Sequence, residues 1–178
     1  MNTVAIQVDV TRLAEERGLT VTKGRTCGTC TACCKAYDVP NDVGGFISRE
    51  GEWCTFCKIG KGCTIYTTRP KTCVDYECLW LMGLFADVDR PDHSKVIAAL
   101  GTGYTEDGSP ADMWQLNETT HGAGDNTRCM RLVSVLHQVA NLPTGLARND
   151  GTKDVLEDGE WIRVHERQPA PPGIIILP

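Results

Sequence analysis

Val4, Ile6, Val8 and Val10 alternate with Thr3, Ala5, Gln7 and Asp9, the two-residue period of a half-buried strand. Residues 13–17 can add one helical turn, stopped by Gly18; a frayed extension is the competing reading of residues 1–23. Neither period continues over residues 24–80, where Gly, Thr and Cys dominate and Trp53, Phe56, Ile59, Ile65, Tyr66 and Tyr76 are the small apolar complement. Such a segment cannot bury a core of its own, so cross-links must substitute for one. A short helix is expected around residues 75–85.

Ordinary globular patterning returns after Pro91. Residues 95–100 (KVIAAL) read as a strand, residues 105–110 (TEDGSP) as a turn cluster, and Met113, Trp114 and Leu116 as a second short apolar element. The clearest helix spans residues 128–141. Cys129, Leu132, Val133, Leu136 and Ala140 share one face, while Arg131, Ser134, Gln138 and Asn141 share the other. Asn126 or Thr127 can cap this helix, and Pro143 follows its end. Turn signals at Asn149-Asp150-Gly151 and Glu157-Asp158-Gly159, with alternation over residues 161–167, predict a small antiparallel sheet. Residues 168–173 (QPAPPG) form a stiff spacer, and residues 174–177 an edge strand or a sticky tail.

The predicted class is α+β. An irregular, cysteine-rich, metal-stapled N-terminal half is joined to a C-terminal half with a small antiparallel sheet and one main helix. The expected organisation is an N-terminal strand or extension (1–23), a cysteine-cluster module (24–90) and a small α+β region with a proline-rich tail (91–178).

At 178 residues, 41% apolar and 23% charged, the chain fits a single domain or a domain with an appendage. Its longest apolar stretch, residues 78–86 (CLWLMGLFA), is well short of the roughly 20 residues a membrane-spanning helix needs. The net charge of −5 is uneven: residues 1–80 carry 10 basic and 9 acidic side chains, residues 81–178 carry 8 and 14. Without a basic stretch the electrostatic footprint of nucleic-acid binding is missing, which leaves a nucleic-acid-binding zinc module as a minor alternative.

Cysteine changes the picture most. Of ten in the chain, nine (Cys27, Cys30, Cys33, Cys34, Cys54, Cys57, Cys63, Cys73 and Cys78) fall between residues 27 and 78, and Cys129 stands alone. Such a cluster means disulfides in an oxidising compartment or thiolates on metal in a reducing one. Residues 1–20 lack the basic and then apolar pattern of a secretory signal, so a cytoplasmic protein with reduced, metal-binding thiols is expected. Cys129 reads as a buried small hydrophobe.

The spacing has a mechanical meaning. In CxxCxxCC (Cys27, Cys30, Cys33, Cys34) and in the CxxC of Cys54 and Cys57, two intervening residues let a tight turn aim both thiolates at one cation about 2.3 Å from each sulfur. Cys33 and Cys34, read as part of an extended segment, point to opposite sides and so suit two centres. Nine thiols exceed one tetrahedral site, which gives two metal centres or one polynuclear cluster. Lys35, Lys58, Lys61, Arg69 and Lys71 are interleaved with the cysteines and can offset thiolate charge; ordinary solvated surface is the plain alternative. Arg69 can equally stack on Tyr66 or pair with a carboxylate. No nucleophile and base stand at an interpretable spacing, so no catalytic residue is assigned and the balance is against an enzyme. Of the four histidines, His93 is nearest the cluster.

The runs CGTCTACCKAYDV and WCTFCKIGKGCTIYTTRPKTCVDYECLW over residues 24–80 resemble the CxxCxxCC family of zinc- or iron-chelating proteins. Cys63, Ile65, Tyr66, Arg69, Pro70 and Cys73, then Asp75 and Cys78, carry the resemblance, with an RPDxS element at Arg90, Pro91, Asp92 and Ser94 beyond them. It implies metal-ion binding, either structural or in metal handling, with a protein partner possible. Similar clusters in iron-sulfur lysine methylases keep an iron-sulfur redox protein or enzyme as an alternative. CxxCxxC opens a bacterial ferredoxin run, but Cys34 follows where that run has a three-residue gap and Cys-Pro. The knuckles at 27/30 and 54/57 are separated by 23 residues, slightly beyond zinc-ribbon spacing. Zinc is placed narrowly ahead of iron or an iron-sulfur cluster because no redox partner is evident.

Overall fold

The computed structural model describes residues 9–40, 46–104 and 108–164. Asp9 begins the first helix, α1 (Val10–Glu16), by accepting the Arg12 N–H on its carboxylate at 3.1 Å. Gly18, at φ +76°, follows the end of the helix. Val10 and Ala14 are buried on one face, and α1 packs on the long C-terminal helix. The helical turn expected over residues 13–17 is present. The strand expected over residues 3–10 lies outside the described residues as far as residue 8, and Val10 is helical because Asp9 caps the turn it opens.

The cysteine-rich segment contains only short elements: α2 (Cys33–Ala36), β1 (Val39–Pro40), β2 (Phe46–Ser48), β3 (Cys57–Lys58), β4 (Gly62–Cys63) and α3 (Lys71–Asp75). β1 pairs with β2 and β3 with β4, each as a two-stranded antiparallel ribbon. The helix expected around residues 75–85 does not form. α3 ends at Asp75, Tyr76 is extended, and residues 78–85 fold into tight turns instead. Two causes are visible. The Leu79 N–H donates to the Ala98 carbonyl at 2.8 Å, which ties the turn to the free edge of the main sheet and shields that edge. Gly83 has φ +101°, and a Cβ there would meet the Thr22 carbonyl oxygen at 2.4 Å.

After α4 (Pro91–Ser94) come the strands of a five-stranded sheet: β5 (Val96–Tyr104), β6 (Pro110–Glu118), β7 (Thr144–Ala147), β8 (Lys153–Glu157) and β9 (Glu160–Arg163), side by side in chain order. The α+β class holds, but the sheet is mixed and larger than the small antiparallel one expected. β6 and β7 run parallel because α5 (Thr127–Val139) carries the chain back between them. Asn126 caps α5 by accepting the Cys129 N–H at 2.8 Å. β8 and β9 join through Asp158 (φ +47°) and Gly159 (φ +85°), the paired positive φ of a type I′ hairpin that Asp-Gly favours.

Val96, Ala98, Trp114, Leu116 and Leu146 of the sheet pack with Cys129, Leu132, Val133, Leu136 and Val139 of α5 and with Val10 and Ala14 of α1 in one buried core. Ile97 and Asn117 fall between those positions on β5 and β6, and so lie on the other face, toward the cysteines. Among the described residues no helix is long and apolar enough to cross a membrane. The tail expectations for residues 168–177, and residues 105–107 of the predicted turn, lie outside the described residues.

Candidate metal centre

Each CxxC is a closed turn. The Cys30 N–H donates to the Cys27 carbonyl at 2.8 Å and the Cys57 N–H to the Cys54 carbonyl at 2.9 Å. The second knuckle is tied to α2 by a bond from the Cys54 N–H to the Cys34 carbonyl at 2.9 Å. The β3–β4 ribbon then folds against the first turn. Gly62 passes at φ +109°, so close that a Cβ there would lie 2.8 Å from the Gly28 carbonyl oxygen. Gly62→Ala will therefore destabilise the cysteine segment by roughly 1–3 kcal/mol from backbone strain alone, and by more as the loops are forced apart. Gly60→Ala is the control, because Gly60 also has positive φ but open space around it. A larger drop in urea midpoint for Gly62→Ala than for Gly60→Ala measures the loop contact.

These turns bring Cys27, Cys30, Cys33, Cys34, Cys54, Cys63, Cys73 and Cys78 to the wall of one chamber of about 320 Å3, whose remaining lining is mostly apolar and includes Trp80, Leu81 and Ile97. Cys57 belongs to the same fold but not to that wall; it stands opposite Cys63 in the β3–β4 ribbon and interacts with Cys34 and Thr31. Cys33 and Cys34 begin α2 rather than an extended segment. Successive side chains on a helix diverge by about 100° instead of opposing one another, and both thiols line the same chamber, so the expected opposition of these two side chains is not found. Cys129 is fully buried in the core on α5, away from the chamber, as a small hydrophobe would be.

Burial pushes the Cys27, Cys30 and Cys73 thiols up, and Cys78 up to about 12, because a charged sulfur loses its water there. Cys33 goes the other way, down to about 7, chiefly through its hydrogen bond with Cys34, which is pushed up in turn. Donors surround the others: the Ala32 and Asp92 N–H groups at Cys30, the Leu81 N–H at Cys78 and the Tyr66 hydroxyl at Cys27.

Tyr37 and Asn117 carry no signal in the sequence pattern. Tyr37 and Tyr76 line the chamber with their hydroxyls 2.9 Å apart, and the Asn117 amide donates to the Tyr37 oxygen at 2.9 Å. Burial raises both phenols, keeping them protonated. Asp92 of the RPDxS element is gripped by Arg90 through two bonds of 2.6 and 2.7 Å, and Arg90 also donates to Thr29 at 3.2 Å. This element clamps the loop that carries Cys27 and Cys30. His93 pairs its ring with the Asp87 carbonyl and Asp92 and is not part of the chamber wall. Among the interleaved cations, Lys35 lies over Trp53 and Lys71 pairs with Asp75; Arg69 alone of the five lines the chamber.

All ten cysteines are free thiols. Among the described residues no group of three or more His, Cys, Asp or Glu side chains is arranged to hold a metal ion; the sulfurs ring a space rather than converge on a point. No family model, curated protein or solved structure matches the chain.

Proposed function

We propose that the chain binds metal through the thiolates of the chamber, with Cys27, Cys30, Cys33, Cys34, Cys54, Cys63, Cys73 and Cys78 as the inner pool and Cys57 beside it. The observation that carries this reading is the convergence of eight cysteines, drawn from segments as far apart as residues 27 and 78, on one largely apolar space. Soft sulfur donors suit zinc or iron. The raised thiols fit as well: they hold their protons until a cation displaces them, so loading is coupled to proton release. The similarity to the zinc- or iron-chelating family points the same way, and reduced thiols fit a cytoplasmic setting.

A polynuclear centre suits the chamber better than isolated ions. A single ion held about 2.3 Å from its sulfurs would occupy little of the space of roughly 320 Å3 that the eight cysteines line. A zinc-thiolate cluster and an iron-sulfur cluster both meet this requirement. Elemental analysis and a visible spectrum of protein purified anaerobically without added metal decide between them. Two or more zinc per chain without colour gives a structural or metal-handling zinc module. Iron with acid-labile sulfide and a brown colour gives an iron-sulfur protein and puts redox chemistry first. Protein that carries no metal and takes up neither zinc nor iron overturns the proposal.

A further inference from the structure

Arg69 follows the 3-10 turn Tyr66–Thr68 and precedes Pro70, where its backbone is extended (φ −64°, ψ 153°). That geometry folds its side chain back over Tyr66, with the guanidinium carbon 4.1 Å from the ring centroid. Arg69 lines the chamber, and its Nε is buried with no hydrogen-bond partner. A buried N–H of a charged group requires an acceptor. Its charge reaches the Tyr66 hydroxyl first, and then sulfurs from two parts of the segment: Cys27 and Cys33 of the first cysteine run and Cys73 of α3. Tyr66, on which Arg69 lies, hydrogen-bonds Cys27 as well. An anionic ligand is the other acceptor chemistry could supply. Eight thiolates would leave even two divalent ions strongly negative, so a further anion would be repelled where a guanidinium is attracted.

We infer that Arg69 is the counter-ion of the thiolate centre, its Nε–H donating to a chamber sulfur and its charge offsetting the excess of thiolates. This rests on the metal-binding reading above. Charge and donation have separate signatures. The charge raises affinity for the loaded, anionic state. The hydrogen bond stabilises filled sulfur orbitals and so moves thiolate-to-metal charge transfer to shorter wavelength.

The test uses the full chain under anaerobic conditions with cobalt(II) as the probe, titrated against a chelator, in wild type, Arg69→Met, Arg69→Lys and Lys71→Met. Arg69→Met is expected to weaken cobalt binding by about tenfold or more, within the range known for partners of metal ligands, and to shift the charge-transfer band to longer wavelength. Arg69→Lys restores most of the affinity, since a positive charge remains, but not the band position, since the fixed planar donor is lost. Lys71→Met, at a cation paired with Asp75 outside the chamber, matches wild type. If Arg69→Met fails to fold by circular dichroism, the band shift in Arg69→Lys carries the test. Wild-type affinity and band in both Arg69 variants overturn the inference while leaving metal binding intact. A wild-type chain that takes up no cobalt, zinc or iron overturns the metal-binding reading, and the role of Arg69 with it.

Discussion

Replacing Trp114 with alanine will lower the stability of the chain by about 3–5 kcal/mol, read as a fall in the urea midpoint and in melting temperature. Trp114 is fully buried at the centre of β6, where it pairs with Leu100 on one side and Thr144 on the other. Its indole N–H donates to the Ala140 carbonyl at 2.9 Å, and its backbone N–H donates to the Pro143 carbonyl at 2.8 Å. The side chain therefore fills the space under α5 and also holds the connection that returns the chain to the parallel strand β7. Alanine leaves a cavity between sheet and helix and removes one of the two donors to the Ala140 carbonyl, which keeps only the Leu142 N–H. Trp114→Phe keeps most of the volume and removes only the donor, so it should cost about 1–2 kcal/mol. Equal losses in the two variants would count against packing as the dominant contribution.

Cys30→Ser will reduce the metal content of the anaerobically purified protein and destabilise the N-terminal half, whereas Cys129→Ser will leave metal content unchanged. Serine keeps the shape of the side chain and removes the soft donor. At position 30 that donor faces the chamber with the Ala32 and Asp92 N–H groups beside it. Without a metal to neutralise the remaining thiols, the apolar lining has little to close around, and exposure of Trp80 and Leu81 should appear as dye binding. At position 129 the sulfur sits in a dry core, and the hydroxyl costs about 1–3 kcal/mol for want of a partner. Elemental analysis and thermal melts on both variants separate the two roles. A Cys30→Ser protein with unchanged stoichiometry and melting would remove Cys30 from the ligand pool.

Where side chains repeat with one period, the fold was readable. α5, β5, the β8–β9 turn and the burial of Cys129 follow from patterning that the packed structure reinforces. The single apolar stripe from Cys129 to Val139 has one core to face. The parallel pairing of β6 with β7 was not legible, because direction depends on where a thirteen-residue helix returns the chain rather than on strand composition. Residues 78–85 misled for a physical reason: Leu79, Trp80, Leu84 and Phe85 are all buried, as in a buried helix, yet the glycine at 83 and the bond from Leu79 to β5 favour turns. In the site, CxxC spacing correctly implies tight turns. The conformation at Cys33 and Cys34, and the placing of Tyr37, Asn117 and Asp92 beside the sulfurs, depend on contacts between distant segments that no local pattern records.

The position of α1 shapes how the protein must be made. Its partner α5 lies beyond the whole cysteine-rich segment, so a chain emerging from the ribosome presents nine thiols before the helix that completes the core has been synthesised. At about 5–20 residues per second, the interval from Cys78 to the end of α5 lasts several seconds. The chamber wall is complete in sequence at Ile97, but through the rest of that interval the sulfurs have no finished core behind them. A pulse of oxidant should therefore damage nascent chains far more than finished ones, trapping mispaired disulfides that the mature protein resists.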